Sequence, residues 1–95
     1  MSKYQEYYQR MVDENLDLFG KFQDLHDNYV LHPKQFQKEY NEIGNQVVEI
    51  IRERERKLCR ESEKGQFGKF SSHLADKFWE LVRRDFPRID FVGVT

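Results

Sequence analysis

Apolar side chains recur at steps of three and four residues through most of the chain, and the pattern restarts twice. The first run is Tyr4, Tyr8, Met11, Asn15, Leu18, Phe22, Leu25 and Tyr29, a strict four-three alternation in which only Asn15 is polar. Such a heptad seam, widened on one flank by Val12, Leu16 and Phe19, predicts a helix over residues 2–31. Ser2 followed by Gln5 supplies a capping box at its start. The second run, Phe36, Tyr40, Ile43, Val47, Ile50, Ile51 and Leu58, predicts a helix over 33–63. Pro33 opens it, because the first helical position needs no amide partner. The same proline pushes His32 out of the helical region and so marks a corner. The third run, Ala75, Phe78, Trp79, Val82 and Phe86, predicts a helix over 72–85 that Pro87 stops. Between the last two lies a loop over 64–71, with Gly65 suited to a left-handed C-cap and Ser71 or Ser72 to the following N-cap. Residues 87–95 are apolar and β-rich but too few for a sheet, and an extended tail is expected.

Two long helices with a short connection lie antiparallel. A corner at residue 32 pairs positions whose numbers sum to about 64, the geometry of a hairpin with 1.5 Å rise per residue on both arms. Leu25 then faces Tyr40, Phe22 faces Ile43, Leu18 faces Val47, Met11 faces Ile50 and Ile51, and Tyr4 faces Leu58. The expected fold is all-α: a long antiparallel helical hairpin, a shorter third helix and an extended C-terminal tail, in one domain over 1–95. A 30-residue helix is about 45 Å long and a 14-residue helix about 21 Å, so the third helix covers only half of the hairpin. It suits the half lined by Tyr4, Tyr8, Met11, Ile51 and Leu58. The half near the corner needs other cover, from the tail and from a second copy. A homodimer is therefore expected, with Phe19, Phe22, Tyr29, Phe36 and Tyr40 as the candidate interaction face.

Composition changes this picture in two places. Charged residues make up 35% of the chain, which alone would suggest disorder, but 15% aromatic residues supply the burial units of a fold. The net charge is only −1, yet residues 1–50 hold five Lys/Arg against nine Asp/Glu and residues 51–95 hold eleven against eight. An acidic first helix against a basic second half explains the asymmetry, and so does a basic binding face. The lone Cys59 excludes an intramolecular disulfide and suits a reducing compartment, so a cytoplasmic location is expected. No apolar run approaches the roughly 20 residues of a membrane span, and the first residues carry no signal-peptide apolar region. No membrane partner is expected.

Candidate chemistry is sparse. The stretch GQFGKFS combines glycines, a lysine and a following helix start, features that attract anions. It is not a phosphate-binding Walker loop, since its glycines are too close and Phe70 separates Lys69 from Ser71. Lys64, Gly65, Gly68, Lys69 and Ser71, with Arg56, Lys57 and Arg60 nearby, form the candidate anion or nucleic-acid site. Glu53, Glu55, Glu61 and Glu63 interleave with those cations and argue for a solvated face instead. His26 and His32 near the corner and Cys59 and His73 near the other end sit some 40 Å apart by helix arithmetic, so no metal site is expected. A Cys59–His73 nucleophile pair is set against a simple half-buried cysteine, and the latter is favoured. Asp13, Glu14 and Asp17 read as a solvated face. Asn15 reads as a register-fixing polar residue or as an amide bonded across to Glu49. The chain is thus expected to be a small non-enzymatic interaction or assembly module without a cofactor. The alternative is an anion or nucleic-acid binder.

Overall fold

A computed structural model of the chain describes residues 2–63 and 71–94. Four α-helices follow one another: α1 (Lys3–Glu14), α2 (Leu16–Leu31), α3 (Pro33–Glu63) and α4 (Ser71–Asp85). A single 3-10 turn, Ile89–Phe91, completes the described chain. No strand occurs among the described residues. The expected loop over 64–71 falls almost wholly outside them.

The first helix begins as the sequence predicts. The Ser2 hydroxyl accepts from the Gln5 amide while the Gln5 side chain accepts from the Ser2 amide. It does not run on to residue 31. At Asn15 the backbone leaves the helical region, with φ −133° and ψ 38°. The Asn15 side-chain amide donates to the Met11 carbonyl at 2.9 Å, and its backbone N–H turns instead to Val12. An asparagine side chain has here taken the acceptor that an unbroken helix would offer to the asparagine's own N–H. Of the two readings of Asn15, an amide bonded across to Glu49 is not what forms; its amide bonds locally to Met11.

Before the break, Tyr8 and Met11 are buried. Past the break the predicted positions Phe22, Leu25 and Tyr29 remain buried, and Phe19 and His26 join them. Leu18, expected on the seam, is only half-buried, and Leu16 is exposed. His26, which the heptad pattern leaves off the seam, is inside.

Helix α3 touches each of the other helices. Its buried positions, Tyr40, Val47, Ile51 and Leu58, follow the predicted three- and four-residue steps. Contacts with the preceding arm run in opposite chain directions: Tyr29 with Gln37, Phe22 with Tyr40, Glu14 with Arg54. Helix α4 closes the half near the first residues. Phe78 and Val82 are fully buried, Phe78 meets the Tyr8 ring edge-on at 5.9 Å, and the Tyr8 hydroxyl donates to Asp85 at 2.5 Å. The Trp79 indole N–H donates to Glu55 at 2.8 Å.

The C-terminal residues are not extended. The Ile89, Phe91, Val92 and Val94 amides each donate three residues back, which coils the segment onto α2 and α3. The coiled segment approaches α3 closely at Gly44. A Cβ built on Gly44 would lie 2.6 Å from a Val92 methyl carbon, so Val92 occupies a notch in α3. Ile89 is buried beside it, and Gly93 takes a φ of 88° to finish the turn.

Candidate functional site at the corner end

The end of the molecule at the α2–α3 corner combines a polar clamp with an apolar surface. The clamp acts on the backbone of the C-terminal segment. Arg88 N–H donates to His26 Nε2 at 3.0 Å, and the Tyr40 hydroxyl donates to the Arg88 carbonyl at 2.7 Å. Asn41 accepts from Gly93 N–H at 2.8 Å and donates to the Val94 carbonyl at 2.9 Å. Gln37 reaches the Phe91 carbonyl at 3.3 Å, accepts from the Tyr29 hydroxyl at 2.6 Å and donates to Asn41 at 2.7 Å. A relay thus passes from α2 through α3 to the C-terminal turn. The short-range turn bonds of this segment leave the Arg88 and Gly93 amides without a backbone partner, and helix side chains at the correct spacing accept from them.

Below the clamp is an aromatic stack. Tyr40 lies parallel to Tyr29 at 3.9 Å and against Phe22 at 5.2 Å, while Phe86 meets Phe22 at 5.0 Å. Burial, more than any neighbouring charge, raises the Tyr40 hydroxyl well above the ordinary phenol range. His26 sits in the same stack and is 3% exposed. Its Nδ1 is buried without a hydrogen-bond partner, 3.9 Å from Asp27, and burial holds the imidazole below its ordinary pKa.

Four of the five residues expected to form an interaction face are not exposed. Phe19, Phe22, Tyr29 and Tyr40 are buried in this chain's own core, covered by Phe86, Ile89 and the C-terminal turn. Phe36 alone of the five is half-exposed; it borders a groove between α2 and α3 with Leu25 and Ile43. The exposed apolar side chains at this end are instead Val30, Leu31, Phe91 and Val94, Leu31 being 71% exposed. Tyr29, Val30, Pro33, Arg88 and Phe91 line a groove of about 170 Å³ among them. Arg88 lies over the Phe91 ring and forms no ion pair among the described residues. No pattern of periodicity marks these positions, because Leu31 flanks the corner and Phe91 and Val94 belong to a segment without a repeat.

At the opposite end, Arg56, Lys57 and Arg60 are exposed on α3. Arg56 is 3.8 Å from Glu49, and Lys57 and Arg60 hold no ion pair among the described residues. Arg54 pairs with Glu14, whose carboxyl it holds below the usual range. Lys64, Gly65, Gly68 and Lys69 lie outside the described residues, as does the side chain of Ser71, so the structure does not join that loop to the α3 cations. Cys59 is half-buried and His73 exposed. Among the described residues no group of three His, Cys, Asp or Glu side chains is placed to hold a metal ion, and no helix is long and apolar enough to cross a membrane. No protein-family model, curated protein or solved structure matches this chain.

Proposed function

We propose that this chain is a small, non-enzymatic helical interaction module that docks a protein surface at its corner end. Its core is an antiparallel hairpin of α1–α2 against α3, in a single domain, capped over one half by α4 and over the other by the C-terminal turn. The observation that carries the reading is the gathering of exposed apolar side chains. Val30, Leu31, Phe91 and Val94 are four of the five large hydrophobic residues exposed among those described, and the groove beside Arg88 lies between two of them. Apolar side chains grouped in this way lose water contact when a partner covers them. A second copy of the chain is the occupant to test first, because the same exposed apolar set on each copy would cover the other.

Sedimentation velocity over a concentration series at pH 7.5 tests it, with Leu31→Glu and Phe91→Glu alongside. The expected result is a wild-type sedimentation coefficient that rises with concentration and variants that stay monomeric. A wild-type chain that remains a monomer throughout overturns the homodimer.

A second reading rests on Lys57 and Arg60, exposed and without an ion pair among the described residues: binding of an anionic partner such as nucleic acid at the basic end of α3, with the 64–72 loop. Binding of a mixed-sequence oligonucleotide that falls steeply with salt, and is lost in Lys64→Ala/Lys69→Ala, would support it, because released counterions report phosphate contacts. No binding at low salt would remove it.

A further inference from the structure

Five backbone atoms of the C-terminal segment are held by hairpin side chains, and four of these bonds use groups that keep one protonation state near neutrality. The fifth does not. Arg88 N–H donates to the lone pair of His26 Nε2, so the imidazole is neutral and carries its proton on Nδ1. That Nδ1–H is buried with no acceptor. The site therefore accommodates the neutral ring and offers a second proton nothing to bond to.

We propose that His26 is a protonation-released latch for the C-terminal turn. A proton added at Nε2 consumes the lone pair that holds the Arg88 amide and leaves two N–H groups facing each other. The cation also lies near the Arg88 guanidinium. The turn then detaches from His26, Val92 leaves the Gly44 notch, and Phe91 and Val94 move with it. This consequence rests on the docking reading, since those two residues belong to the proposed surface and release dismantles it.

The groups around His26 set the direction. From α2, Asp27 favours the cation, but it is largely exposed and at 3.9 Å too distant for a hydrogen bond. From α3, Tyr40 presents a neutral ring, its hydroxyl engaged with the Arg88 carbonyl. From the end of α4, Phe86 presents an aromatic ring. From the C-terminal turn, Arg88 opposes the cation, and Asp90 is committed to Arg83. Burial is the largest influence and holds His26 below the ordinary imidazole value; Asp27 opposes this and Arg88 adds to it. A group whose pKa is lowered in the closed state binds its proton more readily in the open one. Closure is complete above the ordinary value of about 6.5 and is lost as pH falls below it, by up to about tenfold in the opening equilibrium per pH unit.

Amide hydrogen exchange of the full chain from pH 5 to 7.5, corrected for intrinsic rates, tests the latch. Protection at Arg88, Val92 and Gly93 is expected to fall up to about tenfold per pH unit below 6.5, while Ile51 and Val82 keep theirs. His26→Gln retains a neutral acceptor of similar reach and should abolish the pH dependence. It leaves His32 and His73 in place, so titration at those residues gives the same response in both chains. C-terminal protection that is independent of pH, that falls only together with Ile51 and Val82, or that keeps its pH dependence in His26→Gln, overturns the proposal. Should His26→Gln not fold, the wild-type profile decides alone. The sedimentation series at pH 7.5 examines docking with the latch closed, so the two proposals fail separately.

Discussion

The two ends of the helical core are covered in different ways. Near the first residues the cover is α4, a helix that satisfies most of its own backbone and contributes buried apolar side chains, Phe78 and Val82, to the core. Near the corner it is a 3-10 turn with flanking turns, whose backbone depends on His26, Gln37, Tyr40 and Asn41. A helical lid is held mainly by burial, which pH hardly changes. A short lid with only a few turn bonds of its own leans also on named side chains, and it responds to whatever alters them. The first arrangement stabilises the fold as a whole, and the second makes one end conditional.

That contrast breaks most visibly at Phe78. Phe78→Ala should cost about 3–5 kcal/mol of global stability, read as a lower urea midpoint, because a fully buried ring leaves a cavity under α4. Acid should separate the two ends, through the His26 response below pH 6.5. Alkali should join them. The Tyr8 hydroxyl, raised first by burial and then by its bond to Asp85, and the Tyr40 hydroxyl both lie above the ordinary phenol range. Each stabilises the fold fully below its unfolded value of about 10, and that contribution is lost as pH rises beyond it. Thermal melts from pH 9 to 12 should show a fall that Tyr8→Phe and Tyr40→Phe each reduce.

Smaller effects sharpen the contrast at the corner. Tyr40→Phe removes the donor to the Arg88 carbonyl and should raise opening of the C-terminal turn by about 0.5–1.5 kcal/mol in hydrogen exchange, with protection at Val82 unchanged. Gly44→Ala should shift the global midpoint least. Alanine favours the helix over glycine by about 1 kcal/mol, while its methyl group expels Val92 from the notch. The two effects oppose each other in the urea midpoint, but exchange at Val92 should rise clearly. A Gly44→Ala chain with undiminished protection at Val92 would show that the notch does not hold the turn.

Asn15 and the C-terminal segment mark where the sequence stopped being informative. Within the seam Asn15 looks like a tolerated polar residue, because a heptad count records side-chain type and not the carbonyl its amide can capture. Beyond Asn15 the seam positions Phe22, Leu25 and Tyr29 stay buried, and His26, one position off the seam, is buried with them. His26 could have been found from its spacing, four residues after Phe22 and three before Tyr29, had the stripe been counted from Phe19. The aromatic residues chosen as an interaction face were recognised correctly as large and closely spaced, but periodicity cannot tell a ring that another element covers from one left open. The exposed set, Val30, Leu31, Phe91 and Val94, has no periodic signal at all.

Legible in the chain alone were the local features: helices and, among the described residues, no strands, the capping box at Ser2, the corner before Pro33, the burial stripes of α3 and α4, and the stop at Pro87. Each rests on interactions within about one helical turn, which a linear pattern records. Only the tertiary structure decided that the last residues coil instead of extending, that Val92 fills the space left by Gly44, and that His26 holds the Arg88 amide. Those outcomes join residues 48 and 62 positions apart in the case of Gly44 with Val92 and of His26 with Arg88. Shape and hydrogen-bond complementarity across such separations exist only once the helices have packed.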